Sequence, residues 1–317
     1  MISAERIEQA RAAVDPVFKD TPQFVSEPLG DALGLRLLVK VECVNPIRSF
    51  KGRGADWFLQ TLEGPGDLVC ASAGNFGQGL AYAARRRRRR LTVFSAMNAN
   101  PLKVARMRAL GAEVRLDGHD FDAAKDAARN HAQAAGAIFV EDGAIAAIAE
   151  GAGTIAAELT EWPEPIDAVV VPLGNGALIN GIGSWLKTRS PATRVIGVCP
   201  EGAPSMYLSW LEGRAVSTEN TETIADGIAV RVPIPESVEL LPTTVDEVFT
   251  ISEQDIVTGM RLCFEHLGLV AEPAGSAGIA GCLARREEFT GRTVATPIAG
   301  GNLAPADVKR YVLLGQD

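Results

Sequence analysis

The five residues Ala168 to Pro172 (Ala-Val-Val-Val-Pro) carry no polar side chain, so a strand made from them must be covered on both faces. Its sequel, Gly174-Asn-Gly-Ala-Leu-Ile-Asn-Gly, reads as a Gly-rich turn opening a helix. Further β-like runs recur with helical stretches between them: Arg36 to Glu42, Asp67 to Ala71, Leu91 to Ala96, Ala112 to Leu116, Ala137 to Val140, Arg194 to Cys199 and Thr293 to Ile298. This alternation predicts an α/β fold with mostly parallel sheet covered by helices. No internal repeat and no long Pro/Ser/Gly linker is visible, so any two lobes share an interface without a tether.

With 317 residues, 47% of them apolar and 22% charged, the chain is long enough for a large core or two lobes. Its 39 acidic against 31 basic residues give a net charge of -8, which removes the usual attraction to nucleic acid or anionic lipid and favours a small-molecule partner. The exception is the run of six arginines, Arg85 to Arg90. Without interleaved aromatics, it reads as a solvated cationic end to a helix, matched to the negative end of the dipole. Cys43, Cys70, Cys199, Cys263 and Cys282 lie far apart and read as buried reduced thiols. His119, His131 and His266 have no partners at metal-ligand spacing, so neither a zinc site nor a His-based triad is expected. The N-terminus lacks the apolar run of a signal peptide, and no stretch is long and apolar enough to span a bilayer. A soluble cytoplasmic protein is expected.

Two Gly-rich turns follow β-like runs, Ser72-Ala-Gly-Asn-Phe-Gly-Gln-Gly and Gly174-Asn-Gly-Ala-Leu. Each could place backbone N–H groups and a helix N-terminus on an anion. A dinucleotide fingerprint fails at its third glycine, where Ile179 stands, although Glu201 ends the next strand; a P-loop fails because neither turn ends in Gly-Lys-Ser/Thr. Ahead of both lies Lys51, between Phe50 and the glycines Gly52 and Gly54. An amine paired with phosphate cradles suits an aldehyde cofactor that bears a phosphate.

Ser49-Phe50-Lys51-Gly-Arg53-Gly54-Ala55, the Ser72 to Gly79 turn, the Gly174 to Leu178 turn, Thr223-Ile-Ala-Asp-Gly-Ile-Ala-Val, Glu272-Pro-Ala-Gly275 and Ala299-Gly-Gly-Asn302 occur in this order. Together they resemble the threonine/serine dehydratase branch of the fold type II pyridoxal-phosphate enzymes, which also contains serine racemase, over nearly the whole chain. The resemblance implies a tryptophan synthase β-like fold of two lobes, each a mostly parallel sheet flanked by helices. It puts a small domain at 67–147 and a large cofactor domain at 1–66 plus 148–317. It implies pyridoxal 5'-phosphate as cofactor, a small amino acid as substrate and a homodimer as assembly. Lys51 would form the Schiff base and then take the Cα proton. Phe50 would lie against the cofactor ring, Asn75 would hydrogen-bond its phenolic oxygen, and Gly174, Asn175, Gly176, Ala177 and Leu178 would hold its phosphate, with Glu272 and Ala299 also on the cofactor. Ser72, Ala73, Gly74, Asn75 and Phe76 would collect the substrate carboxylate. The chain ends soon after Asn302, so the amino-acid-binding regulatory domain of the long biosynthetic dehydratases is expected to be absent. The implied reaction is dehydration and deamination of a β-hydroxy amino acid such as L-threonine or L-serine.

Departures from the family pattern narrow that reading. Ala73 stands where serine racemase-like sequences have a serine and cannot move a proton, which disfavours racemization. The positions that hold a divalent cation in several relatives correspond to Cys199 and Ser205, so no metal is expected. Ala299 replaces the serine that meets the pyridine nitrogen, and Thr296, three positions back on a strand, faces away. Arg48, close to Lys51, could select a second carboxylate or a large polar β-substituent. A β-replacement enzyme of cysteine-synthase type, a dehydratase for larger or acidic β-substituted amino acids, and a non-catalytic binding protein stay open at this point.

Overall fold

The computed structural model describes residues 2–314. Its strands are β1 (Gln23–Val25), β2 (Arg36–Val41), β3 (Leu68–Ala71), β4 (Leu91–Ser95), β5 (Glu113–Leu116), β6 (Ile138–Phe139), β7 (Ala168–Pro172), β8 (Arg194–Pro200), β9 (Glu247–Ile251) and β10 (Thr293–Ile298). They form a six-stranded sheet in the order β1-β2-β10-β7-β8-β9 and a four-stranded sheet in the order β5-β4-β3-β6. Every pairing is parallel except β1 with β2. The fold is therefore α/β, as the alternation of runs predicts. The apolar run at 168–172 lies buried near the middle of the larger sheet. Strands β1 and β9, at the two edges of that sheet, have no counterpart among the predicted runs.

Parallel strands need helical crossovers, and small residues let those helices approach closely. Helices Ala146–Leu159 and Ala177–Arg189 cross where a Cβ on Gly181 would collide with the carbonyl oxygen of Ala149. This crossing ties the start of the second helix to the layer that also packs on helix Lys51–Thr61.

Four of the six arginines in the run engage partners within the molecule, while Arg85 and Arg88 are exposed. Helix Asn75–Arg86 ends inside it. Arg86 pairs with Asp15, Arg87 with Asp56 and Arg90 with Asp67, while Arg89 donates to the carbonyl of Gly66. Among the described residues no helix is long and apolar enough to cross a membrane. All five cysteines are buried and unpaired with one another; burial pushes their thiols up, Cys43 to about 11 and Cys282 to about 12.

Candidate active site

Lys51 is the first residue of its helix, and the turn before it is stitched to the end of β10. Asn45 Nδ2 donates to the carbonyls of Glu42 and Ser49, and its Oδ1 accepts from the Ile47 N–H. Phe50 N–H donates to Ala299 O and Gly301 N–H to Arg48 O. Two residues on, the Arg53 guanidinium is fully buried between Glu42 and Glu158, donating to both oxygens of each. Lys40 Nζ lies 2.5 Å from the same Glu158. These charges fix the base of the helix, so Lys51 is carried on a rigid support. Its Nζ stands 2.5 Å from Asp142 Oδ2 and 4.7 Å from the centroid of the Phe50 ring.

Both Gly-rich turns end in helix N-termini on the same cavity, which has a volume of about 780 Å³. In the first, Ser72 Oγ accepts from the N–H groups of Gly74 (3.1 Å) and Gly77 (2.8 Å), so the hydroxyl shapes the turn itself. The N–H groups of Ala73, Asn75 and Phe76 find no acceptor among the described residues. The Asn75 side chain is held at both ends, donating to Glu272 and accepting from Asn302 Nδ2 at 2.7 Å. In the second turn Gly176 has φ +88°, where L-residues are strained, and a Cβ on it would collide with Ser237 Oγ. Asn180 braces the turn by donating to Ser237 O and accepting from Thr244 Oγ1. The N–H groups of Gly174, Asn175, Gly176, Ala177 and Leu178 have no acceptor among the described residues. Five uncommitted amides at a helix start, with a lysine amine in the same cavity, fit a phosphate-bearing aldehyde.

The rest of the lining carries charges that sequence reading missed. Lys103, from helix Pro101–Ala109, donates to both oxygens of Asp226 at 2.8–2.9 Å. Its Nζ is also 3.1 Å from Glu272 Oε2, an ionic contact without hydrogen-bond alignment. Burial alone pushes the Lys103 ammonium down, but Glu272 and Asp226 outweigh it and raise it. Arg231 pairs with Asp122 at 2.7 Å and lies 3.6 Å from Asp120. Asp142 and Lys103 sit in no motif and carry no local signal, and Asp226 lies in the Thr223 to Val230 motif without a role that the motif itself announces; each gains its meaning from a partner far away in sequence.

Phe50, Lys51, Ser72 to Phe76, Gly174 to Leu178, Glu272 and Ala299 all line this one cavity. Arg48 does not: it is exposed, with φ +51°, and absent from the lining. Thr296 Oγ1 is buried and donates to Val170 O at 2.8 Å, away from the space beside Ala299. Cys199 and Ser205 are likewise committed, the thiol to Leu173 O and the hydroxyl to Val230 O.

Residues 14–300 match the family model described as "Pyridoxal-phosphate dependent enzyme". The chain is 36% identical to an L-threonine ammonia-lyase of Thermotoga maritima over 318 residues, covering 99% of this chain and 79% of that one. Among solved structures, the processed form of threonine deaminase isoform 2 from Solanum lycopersicum superposes with a TM-score of 0.89 at 28% identity, covering 98% of this chain and 89% of the other. Maize serine racemase gives a TM-score of 0.91 at 25% identity, covering 98% and 96%. On these matches the chain belongs to the pyridoxal-phosphate dependent enzyme family, with the fold type II architecture.

Proposed function

We propose that the protein is an ammonia-lyase that converts L-threonine or L-serine into a 2-oxo acid and ammonia. The observation that carries this reading is the convergence of Lys51 Nζ and two sets of uncommitted backbone N–H groups on one cavity. Pyridoxal phosphate, when bound, supplies the electron sink that makes the substrate Cα–H acidic. Lys51 Nζ would hold the aldehyde carbon, the Gly174 to Leu178 amides the phosphate, and Phe50, Asn75, Glu272 and Ala299 the ring and its substituents. Within the Ser72 to Phe76 turn, the uncommitted N–H groups of Ala73, Asn75 and Phe76 receive the substrate carboxylate. Lys51 Nζ takes the Cα proton; the Cβ–O bond then breaks, and the hydroxyl leaves with a proton as water. The enamine that Lys51 Nζ displaces takes a proton at Cβ to become the 2-imino acid, and water hydrolyses that to the 2-oxo acid and ammonia.

Ala73 supports elimination over racemization, since a methyl group cannot return a proton to the opposite face of Cα. The family-derived division into a small domain at 67–147 and a large one from 1–66 plus 148–317 agrees with the placement of β3 to β6 in one sheet and the other strands in the second. We read the enzyme as cytoplasmic, on the strength of its buried thiols, and as having no nucleic-acid partner, on the strength of its acidic balance and of four arginines of the run that are engaged within the molecule; the homodimer rests on the family resemblance alone.

Borohydride reduction of the holoprotein should fix the cofactor on the peptide containing Lys51. Lys51→Ala should lose both that label and ammonia release while keeping its circular dichroism. Labelling at a different lysine, Lys103 above all, sinks the assignment, and absence of ammonia from both amino acids sinks the substrate reading.

A further inference from the structure

Asp142 is the one cavity carboxylate that touches Lys51, and it is only 10% exposed. One oxygen meets the ammonium at 2.5 Å; the other, Oδ1, is buried and accepts no hydrogen bond among the described residues. A buried carboxylate oxygen without a donor is costly, so its place is set by something other than the ion pair alone. We propose that Asp142 determines specificity by reading the charge of the substrate's β-substituent: it accepts a hydrogen bond from a neutral or cationic donor and rejects an anionic group.

The geometry follows from the role of Lys51, and the inference rests on that reading. A Cα that gives its proton to Nζ must come within about 3 Å of it, so Oδ2 lies no farther than about 5.5 Å from Cα, within reach of a group on Cβ. Once the lysine nitrogen is engaged in cofactor and substrate chemistry, the carboxylate is left to face the substrate. No opposing charge is free to welcome a second substrate carboxylate. The lining contains three Lys or Arg side chains, Lys51, Lys103 and Arg231, and each is already paired with at least one carboxylate. Arg48, the residue that sequence proximity nominates for an acidic substrate, lies outside the cavity. The field at the β-position is therefore negative, and like charges in a partly desolvated site repel strongly.

The test uses holoenzyme and three ligands without a β-leaving group: L-2-aminobutyrate, L-aspartate and L-2,4-diaminobutyrate. Equilibrium binding is read from the visible absorption change, not from turnover. Wild-type protein should bind L-aspartate at least about tenfold more weakly than L-2-aminobutyrate. Asp142→Asn should improve L-aspartate and weaken L-2,4-diaminobutyrate, each by about tenfold, while Asp142→Glu restores the wild-type order. Equal binding of L-aspartate and L-2-aminobutyrate by wild-type protein overturns the proposal, as does an Asn variant that moves all three ligands alike. The wild-type comparison decides even if the Asn variant does not fold. Ammonia release from L-threonine and L-serine by the same preparation reports separately on the underlying activity, so failure of the charge order with intact turnover falls on Asp142 alone.

Discussion

Arg48 occupies the left-handed backbone region, with φ +51°, at a cost of roughly 1 kcal/mol for a residue with a Cβ. Its carbonyl accepts from Gly301 N–H, which helps to hold the turn that presents Lys51. The turn sends its side chain to solvent, so three residues of separation in sequence do not become proximity in the site. Arg48→Gly should leave the ranking of threonine, serine and hydroxyaspartate unchanged within about twofold and should not lower the unfolding temperature, because glycine relieves the strained φ. A selective loss of an acidic substrate in kcat/KM comparisons would place the guanidinium back in recognition. The opposite lesson comes from Asp142, 91 residues from the lysine it contacts. Motifs expose residues whose neighbours share the work, such as the Ser72 and Gly174 turns. A single carboxylate in a loop between β6 and the next helix carries no such signature.

At the scale of elements, the interior strands were legible because burial on both faces leaves a continuous apolar run, as in β7. The edges were not. Strand β1 has three residues, too few to show a period, and β9, Glu-Val-Phe-Thr-Ile, is neither continuously apolar nor cleanly alternating at a margin where burial is incomplete. Nor does any pattern announce that Lys40 of β2, Glu42 just past it, and Arg53 and Glu158 of two helices meet in the core. Replacing Arg53 by Met leaves two buried carboxylates without their guanidinium and should cost about 3–5 kcal/mol in denaturant unfolding. The same cluster sets an acid limit. Burial works to raise the Glu158 carboxyl, but Arg53 and Lys40 outweigh it and hold it near 2, below its ordinary 4.5. A depressed carboxyl favours the folded state fully above the unfolded value and loses that favour as pH falls through the interval toward 2. Stability against thermal unfolding should therefore fall between about pH 4.5 and pH 2 by an amount on the order of 3 kcal/mol, and Glu158→Gln should flatten that dependence. An unchanged acid limb in the variant would assign the loss to other carboxylates.

Across the whole molecule, ionic contacts join the two sheets at the cavity mouth. Arg231 reaches Asp120 and Asp122 at the start of helix Phe121–Ala135, and Lys103 reaches Asp226. Arg231 is the more exposed of the two cations and hence the weaker tie. Arg231→Ala should raise amide hydrogen exchange several-fold in residues 219–232 while leaving β7 protected, with added salt producing part of the same change in the wild type. Identical exchange in the variant would show that apolar packing alone keeps the mouth together. The two-sheet plan was legible through the order of six motifs; these cross-links were not, since they depend on how the sheets face each other. That facing also divides custody of the two ligands. Lys51 and the Gly174 to Leu178 turn follow strands of the six-stranded sheet, whereas the Ser72 to Phe76 turn follows β3 of the four-stranded one. On the proposed assignment, a motion that parts the sheets lets go of the amino acid's carboxylate and keeps its hold on the cofactor. Residence times of reactant and cofactor are then set by different stretches of chain, so product can leave at every cycle while the cofactor stays for many.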